Sequence, residues 1–401
     1  MADAPADLCG LRRLVGRAHA QITELREELD ALVNCLASVG VVQPERHLAE
    51  AHRRRFSLMR QRYPCTCSAS FVDAVALGEI IVGTMREHLG LRPLLAVRGA
   101  SAALRRAAPA GSLRAASRAR LYIFGGDSNG QSLSSVESMD PSIGLWEVMP
   151  PMRCGRSWAA AAPSNGLLYV CGGSDGVQVL DAVECFAAYS GTWHDAPPML
   201  QRREGAAAAS AGGRLYVLGG GDGSSILRTT ESFDPNAECW TLEPLMSVPR
   251  LGCAAGTLDG SIYVCGGNDG ERSLSSTERY CPAVGAWEEL PEMPQRRERF
   301  AAAAIGRCLY VCGGGDHPQV LRSAQRFDPA AGVWEGVASM PQRRHGVAAT
   351  SVAGCLFVCG GSYGRQDLRS VERFDPVAGS WEQLSPMMAP RNSAASAALR
   401  M

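Results

Sequence analysis

Arg214-Leu-Tyr-Val-Leu-Gly-Gly-Gly-Asp-Gly223 holds a strand and its stop within ten residues. The β-branched and aromatic run predicts a short buried strand, and the glycines with Asp222 supply the chemistry of a tight turn. Downstream, Ile226 to Phe233 alternates as a second strand, and Asp234-Pro235 ends it because proline cannot donate to a ladder. Trp240-Thr-Leu242 predicts a third strand, closed by Pro244, and Gly252 to Leu258 a fourth, built of small residues.

The unit is copied. Trp146, Trp193, Trp240, Trp287, Trp334 and Trp381 fall 47 residues apart without a slip. Glycine doublets keep the same beat from Gly125-Gly126 to Gly360-Gly361, as does an arginine at Arg156, Arg203, Arg250, Arg297, Arg344 and Arg391. A fixed period in this range means one supersecondary unit stacked on itself. Arg120 to Met401 is 282 residues, six such units. The array opens on the strand at Leu121 and finishes on a small-residue strand, Ser393 to Leu399, while nothing upstream of Leu121 supplies that strand for the first unit. The C-terminal strand is therefore expected to complete the first unit, closing a ring and removing both sheet edges. The runs Ala159 to Ala162, Ala206 to Ala209 and Ala301 to Ala304 suit the crowded strands nearest a central axis.

The doublet, one tryptophan per unit, and an aromatic seven positions before it (Phe186, Phe233, Tyr280, Phe327, Phe374) resemble the Kelch repeat over about 70% of the chain. The resemblance implies an all-β, six-bladed propeller over residues 119–401. Two copies depart from the pattern: Met139 replaces the aromatic in the first, and Gln325 replaces the glutamate found at Glu137, Glu184, Glu231, Glu278 and Glu372. The periodic arginines are expected to pair with blade carboxylates or carbonyls, because a buried guanidinium without partners is costly.

Six identical side chains hold a ring together, whereas a site on a pseudo-symmetric ring needs differences between copies. The differences follow the arginine: Ser157, Glu204, Leu251, Glu298, His345 and Asn392 come first, and Trp158 and Arg299 then stand where other copies carry glycine or serine. A second variable set follows the doublets: Asp127 with Ser128, Ser174 with Asp175, Asp222, Asn268 with Asp269, Asp316 with His317, and Ser362 with Tyr363 and Arg365. The resemblance implies that the two sets share a face that binds a peptide or protein. Asp175, Asp222 and Asp269 are also read as simple turn caps. Trp158, the one tryptophan off the beat, is the leading anchor, since aromatic and arginine side chains in a central pocket are typical hot spots.

Formal net charge is zero, yet residues 1–118 carry +6 and residues 119–401 carry −6. Neither half has a dense basic stripe, which argues against nucleic acid as a partner. No apolar run reaches membrane length and no secretory segment opens the sequence. Fifteen cysteines form no zinc spacing beyond Cys65-Thr-Cys67, and Cys171, Cys265, Cys312 and Cys359 occupy a position that holds Phe124 or Leu218 in other copies. They are expected to be free, buried thiols in a reducing compartment, the cytoplasm with the nucleus also open. The three propeller histidines, His194, His317 and His345, sit at different offsets, and no nucleophile, metal or phosphate-loop pattern appears. The expectation is a non-enzymatic protein without cofactor or metal; a propeller enzyme is the distant alternative.

Residues 1–43 carry Ile22, Leu25, Leu29, Leu32 and Leu36 at alternating spacings of four and three, the seam of a short coiled coil that can form a homodimer. A single amphipathic helix packed on its neighbours fits the same spacing. Residues 44–118 include a helical block at 72–107, Leu77-Gly-Glu-Ile-Ile-Val82, His88 to Val97 and Ser101 to Arg106, which resembles a degenerate F-box. That resemblance implies docking of Leu77, Ile80, Ile81, Leu89, Leu94 and Leu95 onto a ubiquitin-ligase linker or cullin, and hence a substrate-recognition adaptor. An opening proline is missing, Gly78 and Gly83 loosen the first helix, and a small packing domain has the same pattern. The alternative is a coiled-coil dimeric scaffold, including one associated with actin.

Overall fold

The structure, a computed structural model, describes residues 119–400. The coiled-coil seam from Ile22 to Leu36, the F-box-like block at 72–107 and the Cys65/Cys67 pair lie outside the described residues.

Six four-stranded antiparallel sheets follow one another as blades. Blade three shows the plan: strands Ala207–Ala211, Arg214–Leu218, Thr230–Asp234 and Cys239–Glu243 pair in that order. The second strand of the repeat begins at Thr230, not at Ile226 as the alternation suggests. Residues 226–229 fold back on the doublet, with the Leu227 amide donating to the Gly220 carbonyl (2.8 Å). Leu227 is buried by that loop rather than by a ladder.

Blade one is closed as expected. Its inner strand is Ala395–Arg400, paired antiparallel with Ala119–Phe124, from Ala119 opposite Arg400 to Phe124 opposite Ala395. The inner strands touch around a full circle, 395–400 with 160–164, then 207–211, 254–258, 301–305, 348–352 and back to 395–400. Side-chain size decides who can stand there: a Cβ on Gly256 would lie 2.6 Å from Leu309 Cδ1.

The core lies between blades. Each of six apolar clusters among the described residues joins the facing sides of two neighbours; one sets Leu121, Ile123 and Met139 of blade one against Val352, Phe357 and Val371 of blade six. Cys171, Cys265, Cys312 and Cys359 are buried in this core as free thiols. Burial pushes the first three up to about 12, so they behave as small apolar groups.

The three periodic residue types each tie one blade to the next. The Trp193 indole packs at a tilt against Phe186, its cross-strand partner (centroids 4.9 Å), and donates Nε1–H to the Pro150 carbonyl of the blade before (2.8 Å). Trp146 closes the circle by donating to the Ser385 carbonyl of blade six (2.9 Å). The second doublet glycine donates to the arginine carbonyl of the next loop, as Gly126 does to Arg156 (2.9 Å). A Cβ on Gly125 would sit 2.3 Å from that same carbonyl oxygen, which is why the position excludes side chains.

The arginine side chain then reaches forward into the following blade. Arg203 donates Nη1–H to the Gly219 and Thr229 carbonyls and pairs through Nε and Nη2 with Glu231 Oε1 (3.0 and 2.7 Å), with both groups fully buried. Glu231 also accepts the Leu200 and Gln201 amides, so its second oxygen is satisfied. Arg156–Glu184, Arg250–Glu278, Arg344–Glu372 and Arg391–Glu137 repeat the pair. Arg297 does not. It holds the Gly313 and Ser323 carbonyls and the Ser323 hydroxyl, but Gln325 stands where the carboxylate should be. Arg297 Nε and Gln325 Oε1 are both buried without a partner. Burial therefore pushes this guanidinium down to about 10.

Candidate functional site

The residue after each periodic arginine forms an antiparallel bridge with the residue after the doublet in the same blade. The bridges are Asp127 with Asn392, Ser157 with Ser174, Glu204 with Gly221, Leu251 with Asn268, Glu298 with Gly315 and His345 with Ser362. The two variable sets thus share one face, as expected.

Inside this circle runs a tighter one. Trp158 N–H donates to the Ser393 carbonyl, Gly205 to Trp158, Gly252 to Gly205, Arg299 to Gly252, Gly346 to Arg299 and Ser393 to Gly346, at 2.7–2.9 Å. The six hydrogen bonds close on themselves around the mouth of the channel. All six residues have positive φ, between 50° and 64°. Glycine adopts that conformation readily and other L-residues do so at a cost of about 1–2 kcal/mol. Three copies carry glycine; Trp158 (φ 58°), Arg299 (φ 54°) and the small Ser393 (φ 50°) do not.

Those two are three copies apart in a ring of six, so they face each other across the axis. Their side chains meet: Arg299 Cζ lies 4.4 Å from the centroid of the Trp158 ring. A cation–π contact at an exposed site is worth about 0.5–1 kcal/mol, less than the backbone strain of the two residues. Strain that the local contact does not offset clusters at functional sites.

Two shallow cavities flank the pair. One of about 180 Å³ is lined by Trp158, Leu251, Gly252, Asn268, Glu298 and Arg299. The other, about 150 Å³, is lined by Glu298, Arg299, Gly315, His317, Pro318, Gln319, Val320 and His345. Glu298 Oε2 accepts from Asn268 Nδ2 (2.6 Å). Burial pushes the Glu204 carboxyl up. Burial, then the charge of Arg299, pushes the His345 imidazole down, and its Nδ1 is buried without a partner.

The remaining sequence candidates divide. Leu251, Asn268, Glu298, His317 and His345 line the cavities. Ser157 is buried, with its hydroxyl 3.2 Å from that of Ser132. Asp127 Oδ1 accepts the Gly130 amide, the turn-capping role also taken by Asp175, Asp222 and Asp269. The Ser224 hydroxyl and the Ser224 and Ser225 amides hold Asp222 below the usual carboxylate range. Asn392 sits over Gly346, where a Cβ would meet its Oδ1 at 2.0 Å. Ser128 lies on the blade-one hairpin, and Tyr363 and Arg365 stand exposed on that of blade six, outside both cavities. The sequence reading did not anticipate Pro318, Gln319 and Val320. It singled out Trp158 and Arg299 separately and missed that they meet, although their separation of 141 residues, three periods of 47, carried the signal. Among the described residues no group of three His, Cys, Asp or Glu side chains gathers to hold a metal.

The family described as the KLHDC2/KLHL20/DRC7 Kelch-repeats domain matches residues 115–314 and 205–400. Among solved structures, the one titled "Structure of YjhT" is similar, at 15% identity, a TM-score of 0.56, and coverage of 62% of this chain and 89% of that one. At that identity the likeness concerns the fold. Comparison with curated proteins finds no match.

Proposed function

This chain belongs to the Kelch-repeat family, and on that premise we propose that it is a non-enzymatic recognition protein whose propeller holds a protein or peptide partner at the mouth ringed by Glu204, Leu251, Glu298 and His345. One observation carries the reading. On the innermost circle three of the six copies carry glycine and one serine, and there two bulky side chains, Trp158 and Arg299, are kept in a conformation that favours glycine. Scaffold duty explains the glycines and not the exceptions.

Glycine at both exceptions provides the test. Trp158→Gly with Arg299→Gly restores the residue that three of the other four copies carry, so the double variant is expected to melt within a few degrees of wild type. Affinity capture from cell extract with each full-length chain, read by quantitative mass spectrometry, should show partners depleted about tenfold or more, as for loss of an aromatic or arginine hot spot. Equal recovery by both chains would remove the mouth from consideration.

The finer reading is a substrate receptor of a cullin-type ubiquitin ligase, supported by the F-box-like order at 72–107. It predicts co-purification with a ligase linker protein, abolished by Leu94→Asp. No association with the block intact would count against it. The heptad spacing from Ile22 to Leu36 supports a second reading, a dimeric scaffold, in which Leu25→Asp yields monomers. The free cysteines support the reducing cytoplasm as the place of action.

A further inference from the structure

The contact between Arg299 and Trp158 shows what kind of group this mouth accepts. The indole ring lies over Gly205, whose Cβ position is 3.1 Å from Trp158 Cε3, with Leu251 Cδ1 beside it. A planar cation covers the ring's face. That cation has no carboxylate of its own: Arg299 makes no ion pair among the described residues. Carboxylates nevertheless stand nearby. Glu204 immediately precedes the glycine beneath the ring, and Glu298 lines the same cavity as Trp158. The Glu204 carboxylate has no hydrogen-bond or ion-pair partner among the described residues, and burial already pushes it up, as expected of a group that lacks a counter-charge. The propeller as a whole carries −6, which attracts a basic partner.

We propose that the mouth recognises an arginine side chain of a partner, whose guanidinium takes the Trp158 face in place of Arg299, with Glu204 and Glu298 as its counter-charges. Arg299 is then a resident stand-in that covers the ring until a partner arrives. A guanidinium suits the site better than an ammonium, because it is planar, stacks on aromatic faces and sheds water more readily. The inference rests on the mouth being the protein-binding face and names the chemistry that it reads.

The test uses the full-length chain labelled with 5-fluorotryptophan, in which the Trp158 resonance is assigned by its disappearance in Trp158→Gly. The probe is the blocked peptide acetyl-Gly-Arg-Gly-amide, with the citrulline peptide as a neutral control of nearly the same shape. The arginine peptide should shift the Trp158 resonance saturably and the citrulline peptide should not. Removing the competitor with Arg299→Gly should tighten binding about threefold, the worth of one exposed cation–π contact. Glu204→Gln should weaken it by a similar factor. Equal shifts from both peptides, or no tightening in Arg299→Gly, would overturn the proposal. If the double-glycine variant loses its captured proteins while the arginine peptide leaves Trp158 unmoved in both backgrounds, the arginine reading falls and the mouth stands. Unchanged protein capture removes both, whatever the peptide does.

Discussion

A chain that ends at Arg391 should not form a propeller. The missing residues include all of Ala395–Arg400, the inner strand of blade one, which pairs along the full length of Ala119–Phe124. They also include Ser393, one of the six members of the inner circle. Ala395 and Ala397 pack with Tyr122 and Phe124 in the cluster between blades one and two, so their loss bares aromatic core. It also opens a ladder edge on Ala119–Phe124 that the intact ring never exposes. Arg391 would remain to pair with Glu137, but one buried ion pair cannot replace a six-residue strand and its neighbours on both sides. The truncated chain should aggregate on size exclusion and lack a cooperative thermal transition. A truncation melting within about 5 °C of the intact chain would show that closure contributes little.

The second large effect concerns the arginines, where the repeat supplies its own control. In blade four, Glu278 Oε1 accepts from Arg250 Nε and Nη2 (3.2 and 2.8 Å), and Oε2 accepts the Ser247 amide. Glu278→Gln keeps the shape and removes the charge beneath a fully buried guanidinium. Removing one partner of such a pair costs about 3–5 kcal/mol. At about 2–4 °C per kcal/mol for a domain of this size, the melting temperature should fall by roughly 6–20 °C. In blade five the same exchange runs backwards. Gln325→Glu places a carboxylate beside Arg297, whose Nε lacks a partner, as does the oxygen of Gln325 itself. A hydrogen bond to a charged group is worth about 1.5–3 kcal/mol, so this variant should melt roughly 3–12 °C higher. Opposite signs in the two calorimetric scans are the expected result. A Gln325→Glu protein no more stable than wild type would mean that the carbonyls around Arg297 already suffice.

Most of the fold was legible in the sequence because each periodic residue performs one blade-to-blade contact. A tryptophan seven residues after an aromatic is a cross-strand pair around a hairpin, as Phe233 opposite Trp240 shows. The doublet and the arginine are the two halves of one junction. Even the exceptions held meaning: Met139 still pairs with Trp146 in blade one, and Gln325 marks the one arginine among the six that lacks a counter-charge. What alternation could not separate was a strand from a loop that turns its apolar side inward, so Ile226 and Leu227 looked like ladder residues. The candidate site was legible as a set of positions but not as a geometry. Its central contact joins residues half a ring apart, and linear spacing becomes angular position only once the blade count is treated as a rotation. Asp127 and Ser157 looked available by position; the turn at Gly130 and the hydroxyl of Ser132 occupy them.

The innermost circle also limits how anything can be gripped there. Each of its six amides already donates to its neighbour's carbonyl, so the circle itself offers an arriving segment no free main-chain N–H. On the proposed reading, discrimination at this entrance comes from side-chain chemistry, and exchanging one projecting group should redirect the protein to a different target while the frame beneath stays as it is.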